Sequence, residues 1–343
     1  LSGEYFSDWE SWFTDHAAGR TTLLRCNTWL QLHVLRLPVV NEVVTDGKEL
    51  LRYNDYGTWD TTFLYDRAGE IGDELLSLEQ EIKTLGGSFY YLGLPEQCTY
   101  FMDDYPNYLE SRAWNVAVIR DSFSRALNER GIHYIDAARI YEELGHPDRL
   151  YSSTDHHYTI YGAWTAYRAV MEQINADRGW KLNILEQEDL NWIELPNPFL
   201  GSHNRKLFGL CGKGERLTVG VLKQPVAFTR TDNGSPVDAS VLAMPADGDI
   251  AVTYNVFMGG DRAETIIRTD RPELPDLLIF GDSFTNAVET MIYAGFDETR
   301  SLDLRYYTEK TLKEYLAEFR PDIVLCIRDD TAFFTRTGNG KLD

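Results

Sequence analysis

Two short stretches of the chain carry side chains that can do acyl-transfer chemistry together. Thr154-Asp155-His156-His157-Tyr158 sets an acid and a base one residue apart, and Gly281-Asp282-Ser283-Phe284, far downstream, supplies a hydroxyl. A serine hydroxyl is a weak nucleophile until a base takes its proton, and the base works best when a carboxylate orients it and stabilises the imidazolium. In an extended loop, residues i and i+2 project to the same side. Asp155 and His157 can therefore approach one serine together, whereas His156 faces away and reads as a buried, hydrogen-bonded histidine. Ser283 taken alone would read as a helix N-cap. The Asp/His loop makes it a candidate nucleophile, with His157 as base and Asp155 as orienting acid.

The Asp-His-His triplet also resembles the motif of manganese-dependent phosphoesterases of the DHH family. Those enzymes need further acidic ligands from earlier strands, and here the nearest acidic doublet, Asp247-Gly248-Asp249, lies downstream. Adjacent histidines project in different directions, so one ion rarely takes both. No metal and no cofactor are expected. An oxyanion hole needs at least two donors. The amide of Ser283 is one; Gly259-Gly260 are placed to give the second, with Gly201-Ser202 as the rival. Arg328 and Asp329 close the final strand and are candidates for substrate contact or a surface ion pair. Asp282 is expected to hold the serine turn through backbone amides.

These groups need elements to position them. Leu277–Phe280 is an uninterrupted apolar run suited to a buried parallel strand. It feeds a glycine turn, the serine, and a helix expected over 285–294 whose N-terminal amides and dipole would favour an oxyanion. Upstream, Ile71, Leu75, Leu78, Ile82 and Leu85 fall at helical spacing from about Gly69 until Gly86-Gly87, and Phe89–Leu94 reads as a strand ending at Pro95. A helix is expected over 109–129, then a strand at Ile132–Ile135. Another helix, over 160–175, has Thr159 as its N-cap. After the serine the alternation continues with a strand at 301–305, a helix at 308–319 and a strand at 322–327. Residues 178–275 differ: Arg216–Leu222 and Ile250–Val256 alternate, which reads as a β-rich insertion. Phe6, Trp9, Trp12 and Phe13 predict an amphipathic helix over 4–16. Strands separated by helices imply an α/β fold with a doubly wound parallel sheet, here as one domain over 1–343 with the insertion at 178–275.

Composition narrows the partners. Lys and Arg number 33 against 54 Asp and Glu, a formal charge of −21. The balance argues against nucleic acid as a partner, since phosphate binding needs a basic surface, and it disfavours adhesion to an anionic membrane surface. Aromatic residues reach 13%, in keeping with side chains that stack on sugar rings. Cys26, Cys98, Cys211 and Cys326 are scattered without a CxxC pair, which argues against a zinc site and for buried free thiols. No apolar stretch is long enough for a membrane helix. The chain opens at Leu1, which leads us to expect that an upstream signal or anchor has been removed.

Thr154-Asp155-His156-His157-Tyr158 followed by Gly162-Ala163, with Gly281-Asp282-Ser283-Phe284 downstream, resembles the DHHW protein family. That family is similar to the SGNH-hydrolase-like domains of alginate O-acetylation proteins of the AlgX and AlgJ type. The resemblance spans most of the chain. It implies an SGNH-like fold with permuted motif order, the Asp/His pair preceding the serine, with Ser283, His157 and Asp155 as triad. It further implies a polysaccharide substrate, an extracytoplasmic location, no metal, and a membrane-bound acyl-donor protein as a partner. Two positions depart from the pattern. Tyr158 stands where the family name carries Trp, and as an aromatic it is expected to keep a wall of the site. Asp261 follows Gly259-Gly260 where relatives carry Asn. The reading is a metal-independent serine acyltransferase or esterase acting on O-acetyl groups of a cell-envelope glycan. The runner-up is a non-catalytic glycan-binding or assembly protein of the same fold.

Overall fold

Leu277–Gly281 is buried at every residue, as is Ile323–Asp329, and such runs are stable only where helices cover both faces of a sheet. The computed structural model describes residues 19–53, 60–109 and 113–342, so the helix expected over 4–16 lies outside the described residues. In chain order the elements used below are helix α1 (Arg20–His33), helix α2 (Thr61–Thr84), strand β1 (Ser88–Leu94), helix α3 (Ala113–Glu129), strand β2 (His133–Asp136) and helix α4 (Ile160–Arg178). Strands β3 (Leu190–Pro198), β4 (Arg216–Leu222), β5 (Thr229–Asp232), β6 (Ser235–Val237) and β7 (Glu264–Arg268) follow. The chain continues with β8 (Leu277–Gly281), α5 (Thr285–Ile292), β9 (Glu298–Leu302), α6 (Leu312–Phe319) and β10 (Ile323–Asp329).

One 8-stranded sheet runs in the order β2-β1-β10-β8-β9-β7-β5-β6. The β2-to-β9 part is parallel throughout, and β7, β5 and β6 continue it antiparallel. Side chains alternate across β8 and β10. Leu278, Phe280, Val324 and Cys326 pack with α2, α3 and α6 on one face, while Leu277, Ile279, Leu325 and Ile327 pack with α4 and α5 on the other. The doubly wound α/β sheet is thus in place.

Element ends follow local chemistry. Thr159 accepts from the Tyr161 amide and caps α4, which runs on to a left-handed Gly179. α2 starts earlier than its apolar stripe, because Asp60 accepts from the Thr62 and Phe63 amides. α6 begins later than expected, at a Thr311/Glu314 capping box. β9 lies at Glu298–Leu302 rather than 301–305, since Asp303 leaves the sheet to hold Arg305.

The strands within 178–275 do not form one unit. β3 and β4 pair only with each other, whereas β5, β6 and β7 extend the main sheet. Ile250–Val256 is not a strand. Val252 makes a single bridge to Phe199, and Tyr254–Val256 is a turn of 3₁₀ helix capped by the Thr253 hydroxyl. All of the cysteines are free; Cys98 and Cys326 are buried as expected, but Cys26 is exposed and Cys211 half-buried. Among the described residues no helix is long and apolar enough to cross a membrane.

Candidate active site

β8 delivers the serine. It ends at Gly281, where a Cβ would lie 2.4 Å from the Ile327 carbonyl oxygen and 2.7 Å from Thr285 Cγ2. Glycine is therefore required for close approach to β10. Asp282 then accepts from the Phe284 amide at 3.1 Å, a tight turn that leaves Ser283 half-buried at the foot of α5. Burial, and then the charge of Asp329, push the Asp282 carboxyl up to about 6.

The loop before α4 delivers the acid and base. Asp155 is fully buried and His157 nearly so. His157 Nδ1 lies 2.6 Å from Asp155 Oδ1, and His157 Nε2 lies 2.7 Å from Ser283 Oγ. An ionised carboxylate can only accept, so Nδ1 carries the proton and Nε2 is left to accept from the serine hydroxyl. Asp155 also accepts from the His157 amide at 3.1 Å and, through Oδ2, from the Ser202 amide at 2.7 Å. It holds the loop and the imidazole at once. Burial works to raise its pKa, but the charge and hydrogen bond of His157, then His156 and the Ser202 amide, outweigh burial. The carboxyl stays well below the ordinary carboxylate range.

Other segments fix this loop. Glu215, just before β4, accepts from Ser152 Oγ at 2.6 Å, Ser153 N at 3.3 Å, Thr154 N at 3.1 Å and Thr154 Oγ1 at 2.8 Å. A Cβ on Gly201 would come 2.3 Å from the Thr154 carbonyl oxygen, so glycine there lets the Ser202 amide reach Asp155. The ring of Tyr254 lies on the imidazole of His157 with centroids 3.8 Å apart and planes 6° apart, and Phe284 packs at 4.9 Å. Sequence reasoning missed Tyr254 and Glu215. Tyr254 sat in a run mistaken for a strand, and nothing local marks Glu215.

The remaining expected residues divide. His156 turns away to Ser202 Oγ, 2.8 Å from its Nδ1, and burial holds its pKa well below the ordinary imidazole value. Gly259 and Gly260 adopt φ of +76° and +85°, and Gly260, Asp261, Asp282, Thr285 and Asn286 line one small cavity, which puts this segment beside the serine turn. The Gly260 amide is committed to Phe257 O at 3.0 Å. Among the described residues the Ser283 and Gly259 amides donate to no protein group. In the rival pair the Ser202 amide is committed to Asp155.

Two expectations are corrected, and Asp261 is placed. Tyr158 is not a wall of the cleft: it is fully buried and its hydroxyl donates to Phe284 O, tying the two loops. Arg328 is neither paired with Asp329 nor joined to the Ser283 group. It is buried, with Nη1 3.4 Å from Thr335 O, while Asp329 accepts from the Thr331 amide at 2.8 Å. Asp261 is no donor, since it accepts from Asn286 Nδ2 at 2.9 Å and from Arg305 Nη2 at 2.8 Å. Donor atoms of Asp155, His156 and His157 fall within 4.8 Å of one another. His157 Nδ1 bonds Asp155 and His156 Nδ1 bonds Ser202, and the exposed Asp247 and Asp249 are not part of this group.

No protein-family model and no curated protein sequence matches the chain. Solved structures do resemble it. Bacillus cereus PatB1 with a sulfonyl adduct matches at a TM-score of 0.67 and 20% identity, covering 85% of this chain and 95% of that one. A DHHW family protein from Eubacterium siraeum matches at 0.65 and 18%, covering 86% and 93%. The O-acetyltransferase domain of Pseudomonas putida AlgJ matches at 0.52 and 12%, covering 88% and 95%. The likeness extends over nearly the full length of each partner, and the chain has the SGNH-hydrolase-like α/β fold of the DHHW family protein and the AlgJ domain.

Proposed function

We propose that the protein is a serine acyltransferase or esterase that moves O-acetyl groups on an extracytoplasmic polysaccharide. The observation that carries this reading is the alignment of Ser283 Oγ, His157 and Asp155 in successive hydrogen bonds of 2.7 Å and 2.6 Å. His157 Nε2 takes the proton as Ser283 Oγ bonds to the acetyl carbonyl carbon. The tetrahedral oxyanion is held by the Ser283 and Gly259 amides, and its collapse expels the donor oxygen, which takes the proton back from His157. A sugar hydroxyl or water, deprotonated by the same imidazole, then attacks the acetyl-serine and regenerates the hydroxyl. Transfer and hydrolysis use the same residues and differ in whether water reaches the intermediate.

Two of the similar structures support the reading. One carries a sulfonyl adduct, a group captured by a nucleophile, and another is titled an O-acetyltransferase domain. The reading takes a membrane-bound acyl-donor protein as the source of the acetyl group and gives no part to a metal. A chromogenic acetyl ester and phenylmethylsulfonyl fluoride test this. Wild type should cleave the ester, take up one sulfonyl group at Ser283 and keep its rate in chelator. Ser283→Ala should do neither reaction, and equal turnover by the two proteins would end the serine mechanism. The glycan-binding alternative draws on Asp261, which offers no amide. It would be favoured by glycan affinity that survives Ser283→Ala with no acyl-enzyme detectable by mass spectrometry.

A further inference from the structure

A soluble surface scatters its large apolar side chains singly; a contiguous patch of them marks a docking site. Here they gather on one segment. Leu23, Leu24, Leu30, Val34, Leu35 and Leu37, on α1 and the turn after it, are each between 38% and 66% exposed. Leu23, Leu30 and Val34 fall one above another on the helix surface, with Leu24 and Leu35 further round towards Thr28. The opposite side holds α1 to the body: Thr28 is buried and accepts from Asn41 Nδ2 at 3.0 Å, Leu32 packs on Val40, Val43, Leu50 and Leu207, and His33 meets Leu210 O at 2.9 Å. The outward stripe is therefore a surface of the folded body.

Its charge is opposite to that of the rest. The chain has 54 acidic residues, none of them between 20 and 37, and that stretch carries Arg20, Arg25 and Arg36, all exposed. Trp29, half exposed beside them, is a residue type that collects at membrane–water boundaries. Distant carboxylates are screened beyond about 8 Å at physiological ionic strength, and Glu42, next to the Asn41 that bonds Thr28, is paired with Lys206 at 2.8 Å, so a surface touching the stripe meets a cationic, apolar face. We infer that α1 and the following turn dock on an anionic phospholipid bilayer, leucines inserted and arginines at the headgroups.

Flotation of the full chain with phosphatidylglycerol–phosphatidylcholine vesicles tests this. Wild type should float with them, less so as salt rises, and remain below vesicles of phosphatidylcholine alone. Arg25→Gln with Arg36→Gln should weaken partition roughly fivefold for each arginine neutralised. Leu30→Glu with Val34→Glu should abolish flotation while leaving the melting temperature unchanged, because both positions already face water. Wild type that fails to float, flotation unaltered in both variants, or equal flotation on neutral vesicles would overturn the inference. So would a dimer in analytical ultracentrifugation that the glutamates convert to monomer, since the stripe would then be an interface between copies of this chain.

Discussion

The imidazole of His157 lies flat on the phenol ring of Tyr254, with centroids 3.8 Å apart and planes 6° apart. Among the described residues the Tyr254 hydroxyl has no hydrogen-bond partner, so the ring face is what acts on the base. Tyr254→Phe should therefore retain the acetylesterase rate. Tyr254→Leu should lower kcat about threefold to tenfold, the range of one aromatic pair, with KM little changed. A Phe variant as impaired as the Leu variant would show that the hydroxyl matters instead.

Glu215 gathers its hydrogen bonds from the stretch immediately before Asp155. Removing an acceptor that serves several buried donors costs about 1–3 kcal/mol. Glu215→Ala should accordingly lower the urea midpoint and, by loosening the loop, lower kcat more than it raises KM. Glu215→Gln, which keeps an accepting oxygen, should fall between. An alanine variant of unchanged stability and rate would refute the positioning role.

Three carboxyls, Glu96 and Asp330 buried and Asp282 half-buried, crowd the ends of β8, β1 and β10. Burial first, and then the charge of Asp329, push Asp282 up to about 6, Glu96 to about 7 and Asp330 to about 8. Their unfolded values, 3.8 for Asp and 4.5 for Glu, lie lower, so across this window the native state binds more protons than the unfolded chain. Their stabilisation is fully present below about pH 4 and is lost as pH rises through the folded values. The thermal midpoint should fall between pH 5 and 8, and Asp330→Asn should flatten the upper part of that fall. Midpoints that rise over the same window in wild type would contradict the burial effect.

Two glycines sit where backbone must pass backbone. Gly281→Ala would push a Cβ to 2.4 Å from Ile327 O, and Gly201→Ala one to 2.3 Å from Thr154 O. Each should cost about 1–3 kcal/mol in urea unfolding. Gly201→Ala should in addition remove most ester cleavage, because the strain falls on the loop that carries Asp155. Full activity in that variant would show that the loop tolerates the shift.

The sequence was legible where one residue type had one physical use. The apolar run of β8, the stripe of α2 and the Thr159 cap each match what their side chains demand. The i, i+2 spacing of Asp155 and His157 brings acid and base together, but through a bent loop in which Asp155 accepts from the His157 amide, so that only His157 reaches Ser283. Legibility failed where distant partners decide. Ile250–Val256 alternates like a strand, yet Tyr254 turns out of line to reach His157. Arg328 ends a strand on the functional edge of the sheet, yet alternation sends its side chain to the face opposite the serine. Thr311 and Glu314 spelled a capping box that marks the start of α6, a local signal available in the sequence.

β10 is the last strand in chain order among the described residues, and it lies in the middle of the parallel array, hydrogen-bonded to β1 on one side and β8 on the other. A chain emerging from the ribosome can form helices and local hairpins early, but the two halves of its sheet have no common neighbour until Asp329 is out. Ser283 follows β8, on one side of β10 in the sheet, whereas the loop of His157 comes after β2, on the other side. Nascent chains should therefore stay inert until Asp329 has emerged, and assembly of the centre should follow as a single event.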